Sequence, residues 1–240
     1  MSAAAAHDWS AAHEHLCRVD ARLRRVIERV GPCRMAPPPI SIFYALARSI
    51  VHQQLAGKAA ESIMARVEGL FRPEVLCPAH IAGASDEALR SAGLSRNKAA
   101  ALKDLAAHAL CGAIPEESEL AAMGDDEIIE CVTRVKGIGR WTAEMMLMFR
   151  LCRPDVLPVD DYGVRKGCQL LYRLPELPTR EQMLRRGERW RPWRSVASWY
   201  LWRVLELPHR SRKAAGNGAT GKCSGAAKKP ASPRRAKGRR

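Results

Sequence analysis

The sequence has no apolar run long enough to cross a membrane. Its longest stretch without a charged residue, residues 35–47, holds 13 residues, three of them prolines, whereas a spanning helix takes about 20 apolar residues. The first residues, Met-Ser-Ala-Ala-Ala-Ala-His-Asp, have neither a basic start nor an apolar stretch leading to a cleavage site. No secretory signal is expected, and the location expected is cytoplasmic. Cysteine pairs are missing as well. Eight cysteines occur, none in a Cys-x-x-Cys arrangement, which leaves them as small buried apolar residues in a reducing compartment. Histidines and acids show no ligand spacing, so no divalent metal site is expected. Aromatics make up only 5% of the chain, and no segment alternates cleanly enough to be read as a strand.

What is present is 240 residues, 47% of them hydrophobic, enough to bury a core in one large or two small domains. Ala-, Leu- and Arg-rich stretches favour helices. Apolar residues at 16, 19, 23, 26, 27 and 30 trace one helical face, and the spacing predicts a single helix over 16–30, stopped by Gly31-Pro32. The same reading places helices near 42–51, 58–70, 86–92, 95–110, 125–132, 140–151, 164–172, 180–188 and 195–205, with Pro73 and Pro78 framing a break. The expected class is all-α, without a solenoid repeat.

Lys and Arg number 40 against 25 Asp and Glu, a net charge of +15, so a polyanion is the first partner to expect. Acid is wholly missing from residues 210–240, which hold eleven of the basic groups; the other 209 residues carry only +4. Without apolar periodicity this basic tail is expected to be disordered and to tether polyphosphate in a salt-sensitive way.

The most informative string is Val132-Thr133-Arg134-Val135-Lys136-Gly137-Ile138-Gly139-Arg140-Trp141-Thr142-Ala143. Two glycines one residue apart allow positive φ and close backbone approach, and Ile138 between them can plug the gap between flanking helices. Free amides at the start of the second helix, with Lys136 and Arg140, suit a phosphate. Gly-x-Gly alone fits a plain helix–helix turn equally well; the full string narrows it.

That string resembles the helix-hairpin-helix of the DNA glycosylase superfamily. Leu157-Pro158-Val159-Asp160-Asp161-Tyr162-Gly163-Val164-Arg165 is similar to the family's Gly/Pro-rich loop ending in an aspartate, and residues 47–60, with Gln53-Gln54-Leu55-Ala56-Gly57, to its helix-entry segment. Gly93-Leu94-Ser95-Arg96-Asn97-Lys98 and Trp190-Arg191-Pro192-Trp193-Arg194-Ser195 are similar to segments of the 3-methyladenine DNA glycosylase II branch. The five blocks keep the family's order over about residues 45–205. The resemblance implies two helical lobes with the active site in the cleft between them. Residues 1–44 would be an N-terminal helical segment packing on the C-terminal lobe, 45–154 the lobe with the hairpin, and 155–209 the rest of the second lobe with the catalytic loop. With some 44 residues before the first block, the chain resembles the compact form that lacks the N-terminal β domain of larger members.

The resemblance also assigns roles. Asp161 is the catalytic carboxylate, and Asp160 is left to cap the next helix. Trp141 stands where bifunctional relatives carry a Schiff-base lysine, which implies hydrolytic base removal without lyase activity. The cysteine cluster of the iron–sulfur relatives is missing, so no cluster is expected. Trp141 and Trp202 match the base pocket, where two indoles suit positively charged N-alkylated purines; Met145 stands where the branch has a tyrosine. Leu55 matches the wedge that fills the gap left by an extruded base, with Gln54 beside it. Lys136, Gly137, Ile138, Gly139, Arg140 and Thr142 would contact DNA, and the backbone carbonyls of Thr133, Val135 and Ile138 would hold a monovalent cation bridging to a phosphate. His52 is given no more than a phosphate or pocket-edge contact. The expected protein is a monomeric, monofunctional glycosylase that removes alkylated purines of the 3-methyladenine type from duplex DNA in base excision repair. A glycosylase for other damaged or mismatched bases, or a non-catalytic helix-hairpin-helix DNA-binding module, are the alternatives.

Overall fold

Asp20 divides the first amphipathic stretch in two. The computed structural model describes residues 7–208, and in it α1 (Ser10–Val19) and α2 (Ala21–Val30) replace the single helix expected over 16–30. Asp20 adopts φ −145° and ψ 97°, and its carboxylate accepts the amides of Arg22 and Leu23, both at 3.1 Å. The same buried carboxylate also accepts the Tyr172 hydroxyl and, at 3.2 Å, the Trp190 indole N–H. Apolar spacing records which face is buried, not whether an aspartate side chain takes amides from the helical ladder.

The remaining elements are α3 (Ile42–His52), α4 (Gly57–Gly69), α5 (Pro78–Gly83), α6 (Asp86–Ser91), α7 (Arg96–Leu110), α8 (Glu117–Ala122), α9 (Asp125–Thr133), α10 (Arg140–Phe149), α11 (Tyr162–Tyr172), α12 (Arg180–Gly187), a 3-10 turn (Glu188–Trp190) and α13 (Arg194–Glu206). No strand occurs among the described residues, and none of their helices is long and apolar enough to cross a membrane. Ser41, Ser85, Ser95 and Thr179 cap α3, α6, α7 and α12 through their hydroxyls, satisfying amides that a helix start leaves free. Two helices escape the periodicity argument. Pro78, read as part of a break, instead sits in the first turn of α5, where its missing N–H costs nothing. Helix α8, six residues long, is too short to show a period.

Packing sorts the helices into two groups. Helices α1 and α2 pack on each other and on α13, and α11 lies along both α2 and α13. In the other group α7 packs on α3, α5 and α6, while α10 packs on α9 and α3. The α11–α13 contact is unusually close: a Cβ at Gly167 would fall 2.1 Å from the Leu201 carbonyl oxygen. Of the cysteines expected to be buried, Cys152 and Cys168 are, four more are half-buried, and Cys111 is exposed. Cys223 and the basic tail over 210–240 lie outside the described residues.

Candidate active site

The loop before α11 is pinned along its length. Val156, Leu157 and Val159 are buried, and Asp155 pairs with Arg194 at 2.7 Å and with Arg191 at 2.7 Å. The Ser195 hydroxyl accepts the Val156 amide at 2.9 Å and donates to the Arg153 carbonyl at 2.6 Å. The Arg191–Ser195 segment is therefore the clamp that fixes where the loop ends, a role that sequence similarity did not supply.

The loop ends on Asp161, which is half-buried and caps α11: Oδ1 accepts the Val164 amide at 2.7 Å. The same oxygen accepts the Trp202 indole N–H at 2.9 Å, and Oδ2 accepts that of Trp141 at 2.8 Å. Thus one indole from each helical group meets one carboxylate. The capping role expected of Asp160 belongs to Asp161 instead; Asp160 is exposed and pairs with Arg180 on α12. Gly163 allows this approach, since a Cβ there would lie 2.7 Å from Cδ1 and 2.8 Å from Nε1 of Trp202.

One face of α10 completes the wall. Trp141, Met145 and Phe149 follow each other at helical spacing; Trp141 is 49% and Phe149 38% exposed, and Met145 is half-buried. The Phe149 ring lies 5.7 Å from that of Trp202. Phe149 was not singled out in the sequence, although its position eight residues after Trp141 carries the signal. Trp9, Trp190 and Trp199 are buried and Trp193 packs half-buried against the core, so the six tryptophans divide between core and site, four to two.

In the hairpin, Gly137 has φ +82°, while Gly139 caps α10 at φ −96°. Only the first glycine needs a left-handed backbone; the second leaves nothing within 4 Å of where a Cβ would stand. The first intrahelical bond runs from the Ala143 amide to the Gly139 carbonyl, so the amides of Arg140, Trp141 and Thr142 precede the ladder and are free to meet an anion. The structure separates backbone from side chain among the expected DNA contacts. Ile138 and Thr142 are buried, so their side chains pack and only their backbone can serve. Arg140 is engaged by the buried Glu144 at 3.0 Å and by Asp126 at 3.5 Å. Burial pushes the Glu144 carboxyl above its ordinary range, and the Arg140 guanidinium opposes this. The Lys136 amide donates to Asp104 on α7 at 2.7 Å, while its side chain is exposed and without an ion pair among the described residues.

Gln54 and Leu55 lie in the turn between α3 and α4. Gln54 has φ +56° and is exposed, and Leu55 is 39% exposed, which places this leucine outside the core. The turn is tied from both sides. Lys98 on α7 donates to the carbonyls of Val51 and Gln53, each at 2.7 Å, and the Gln53 amide side chain donates to the Gly137 carbonyl at 2.7 Å. His52 is half-buried, and its Nε2 has no partner among the described residues.

Comparison with known proteins agrees with this geometry. Residues 47–192 match the family described as HhH-GPD superfamily base excision DNA repair protein. DNA-3-methyladenine glycosylase 1 of Schizosaccharomyces pombe is 37% identical over 199 residues, covering 80% of this chain and 86% of the relative. DNA-3-methyladenine glycosylase 2 of Escherichia coli is 32% identical over 187 residues, covering 72% and 62%. Among solved structures, the S. pombe 3-methyladenine DNA glycosylase in complex with abasic DNA superimposes with a TM-score of 0.74 at 36% identity, over 82% of this chain and 97% of that one. A DNA-3-methyladenine glycosidase from Bacillus halodurans gives 0.72 at 38%, over 79% and 86%. With the hairpin, the pinned loop and the aspartate between two indoles, the chain belongs to the HhH-GPD superfamily of base excision DNA repair proteins, in its 3-methyladenine DNA glycosylase branch.

Proposed function

We propose that this chain is a monofunctional DNA glycosylase that hydrolyses the N-glycosidic bond of alkylated purines in duplex DNA, acting as a monomer in the cytoplasm. The observation that carries the reading is the Asp161 carboxylate held between Trp141 and Trp202 at 2.8 and 2.9 Å. Breaking the bond from C1′ to the base nitrogen leaves positive charge on the deoxyribose, which a fixed anion stabilises. The bond's electron pair leaves with the purine. An N-alkylated purine already carries a positive charge and departs neutral, so the site needs no strong general acid. Water adds its oxygen to C1′ and releases a proton to solvent, leaving an abasic sugar. Trp141, Phe149 and Trp202 offer aromatic surface to a cationic base. The exposed Leu55 fills the gap in the duplex, and the free α10 amides with Lys136 hold a phosphate.

Trp141 stands where a Schiff-base amine would have to be, so no strand cleavage is part of this reading. The carbonyls of Thr133 and Ile138 receive no backbone donor among the described residues, and that of Val135 receives only the Ile138 amide at 3.1 Å. These oxygens fit a monovalent cation, which when bound would supply positive charge for a DNA phosphate.

The test compares wild type with Asp161→Asn on alkylated duplex, scoring free base and, before alkali, strand breaks. Asparagine caps a helix as well as aspartate does, so the melting temperature should hold while base release falls by at least about a hundredfold. Undiminished release from the variant, or strand cleavage through a borohydride-trappable adduct in wild type, would overturn the reading.

A further inference from the structure

At the end of α11 remote from Asp161, eleven residues or about 16 Å along the helix, a second concavity opens. The half-buried Leu174 and Leu177 and the buried Pro178 line it together with Arg185, Arg186 and Arg189, in a cavity of about 440 Å3. An adjoining hollow of about 430 Å3 shares Arg186 and Arg189 and adds Arg22 and Tyr172. Neighbouring arginines are committed to acids: Arg180 to Asp160, Arg191 and Arg194 to Asp155. Among the described residues, Arg22, Arg185, Arg186 and Arg189 have no such partner.

Two of these four are held in place. The Arg186 guanidinium stacks 3.9 Å from the centre of the Tyr172 ring, and Arg22 donates to the Tyr172 carbonyl at 2.6 Å. The acids at hand are Asp20, whose carboxylate is spent on Tyr172, Trp190 and two backbone amides, the exposed Glu176, and the exposed Glu181 one turn before Arg185, which is engaged by the Thr179 hydroxyl and forms no ion pair with Arg185 among the described residues. Converging guanidiniums repel one another in the free protein. A ligand rich in carboxylates relieves that repulsion through charge-assisted, bidentate hydrogen bonds.

We propose that this cleft docks an acidic segment of a partner protein, its carboxylates on Arg22, Arg185, Arg186 and Arg189 and an apolar side chain between them on Leu174 and Leu177. A DNA backbone suits it less well: phosphates on a convex duplex satisfy guanidiniums but bring nothing apolar to Leu174 and Leu177.

The test measures fluorescence anisotropy on the full-length chain with three labelled probes: a peptide whose central leucine is flanked by glutamates, its leucine-to-serine counterpart, and a lesion-free duplex. The leucine peptide should bind about tenfold more tightly than the serine peptide, the effect of burying one leucine. The double charge reversal Arg185→Glu/Arg189→Glu, at two exposed and unpaired positions, should weaken the leucine peptide by about tenfold or more. It should leave the melting temperature, duplex affinity and base release as in wild type. Arg72→Glu/Arg90→Glu, at two exposed positions after α4 and on α6 without ion pairs among the described residues, changes the net charge by the same amount, serves as the control and should weaken the peptide far less. Equal binding of both peptides, or an equal loss in the control, would mean attraction to a basic protein rather than a site, and the proposal falls. It falls too if the double reversal weakens the duplex instead, which would make the cleft part of the DNA face.

Discussion

Gly163 decides how near Trp202 can come to Asp161, because a methyl group there would sit inside contact distance of the indole and 3.1 Å from Asp161 Oδ1. Gly163→Ala is expected to displace the indole and lower single-turnover base release by about tenfold, the scale of losing one preorganised donor in part. Because the displaced indole also packs on the core, the variant should lose stability on the scale of overpacking, about 1–3 kcal/mol, so the rate is compared well below its melting temperature. An unchanged rate would show that the indole–carboxylate contact is not used. At this scale the sequence is most legible where a distinctive residue type falls in a distinctive motif: Asp161, Trp141 and Trp202, which the resemblance assigns to one site, meet in the fold. It is least legible where adjacent residues share a chemistry. Asp160 and Asp161 could exchange roles on paper, and only the bond to the Val164 amide and the pair with Arg180 separate them. Gly163 and Phe149 contribute by space and spacing, which no single residue type announces.

Between elements, the turn that carries Leu55 depends on Lys98, which reaches from α7 to close the C-terminal carbonyls of α3. Lys98→Met should cost about 1–3 kcal/mol, the range for removing a charged donor from part-buried acceptors, and should weaken duplex binding. Chemical denaturation and anisotropy measure the two effects. Next to it, burial holds the His52 imidazole below its ordinary 6.5, with Arg48 and Lys98 acting in the same direction and Glu61 against it. The folded value being the lower one, the unfolded chain takes up the proton first as pH falls. Stability that depends on neutral His52 is complete above 6.5 and is lost as pH falls through the folded value. Between about pH 7.5 and about pH 5, the melting temperature of wild type should therefore fall further than that of His52→Gln. Parallel curves would remove His52 from the account. Long helices were readable from period alone, whereas the Asp20 break and the short α5 and α8 were not, since local side-chain bonds and helix-start prolines leave no periodic trace.

Across the whole molecule, charge and connectivity were legible in different degrees. The excess of basic groups in residues 210–240 is plain from composition, and deleting them lowers the net charge from +15 to +4. The truncated chain should bind lesion-free duplex more weakly and with a shallower dependence on salt, at an unchanged rate of base release from bound substrate. An identical salt slope would exclude the tail from DNA binding. Which arginines remain without acids is a property of the folded surface, so the cleft beyond α11 could not be foreseen from counts. The fold also gives Asp161 unequal oxygens. A carboxylate offers about four lone-pair directions, and here Oδ1 already serves two donors while Oδ2 serves one, from the opposite helical group. If those groups separate, Oδ2 loses its donor first and Oδ1 keeps both of its own. The oxygen with the most unused lone-pair capacity is thereby also the one that registers any parting of the two helical groups.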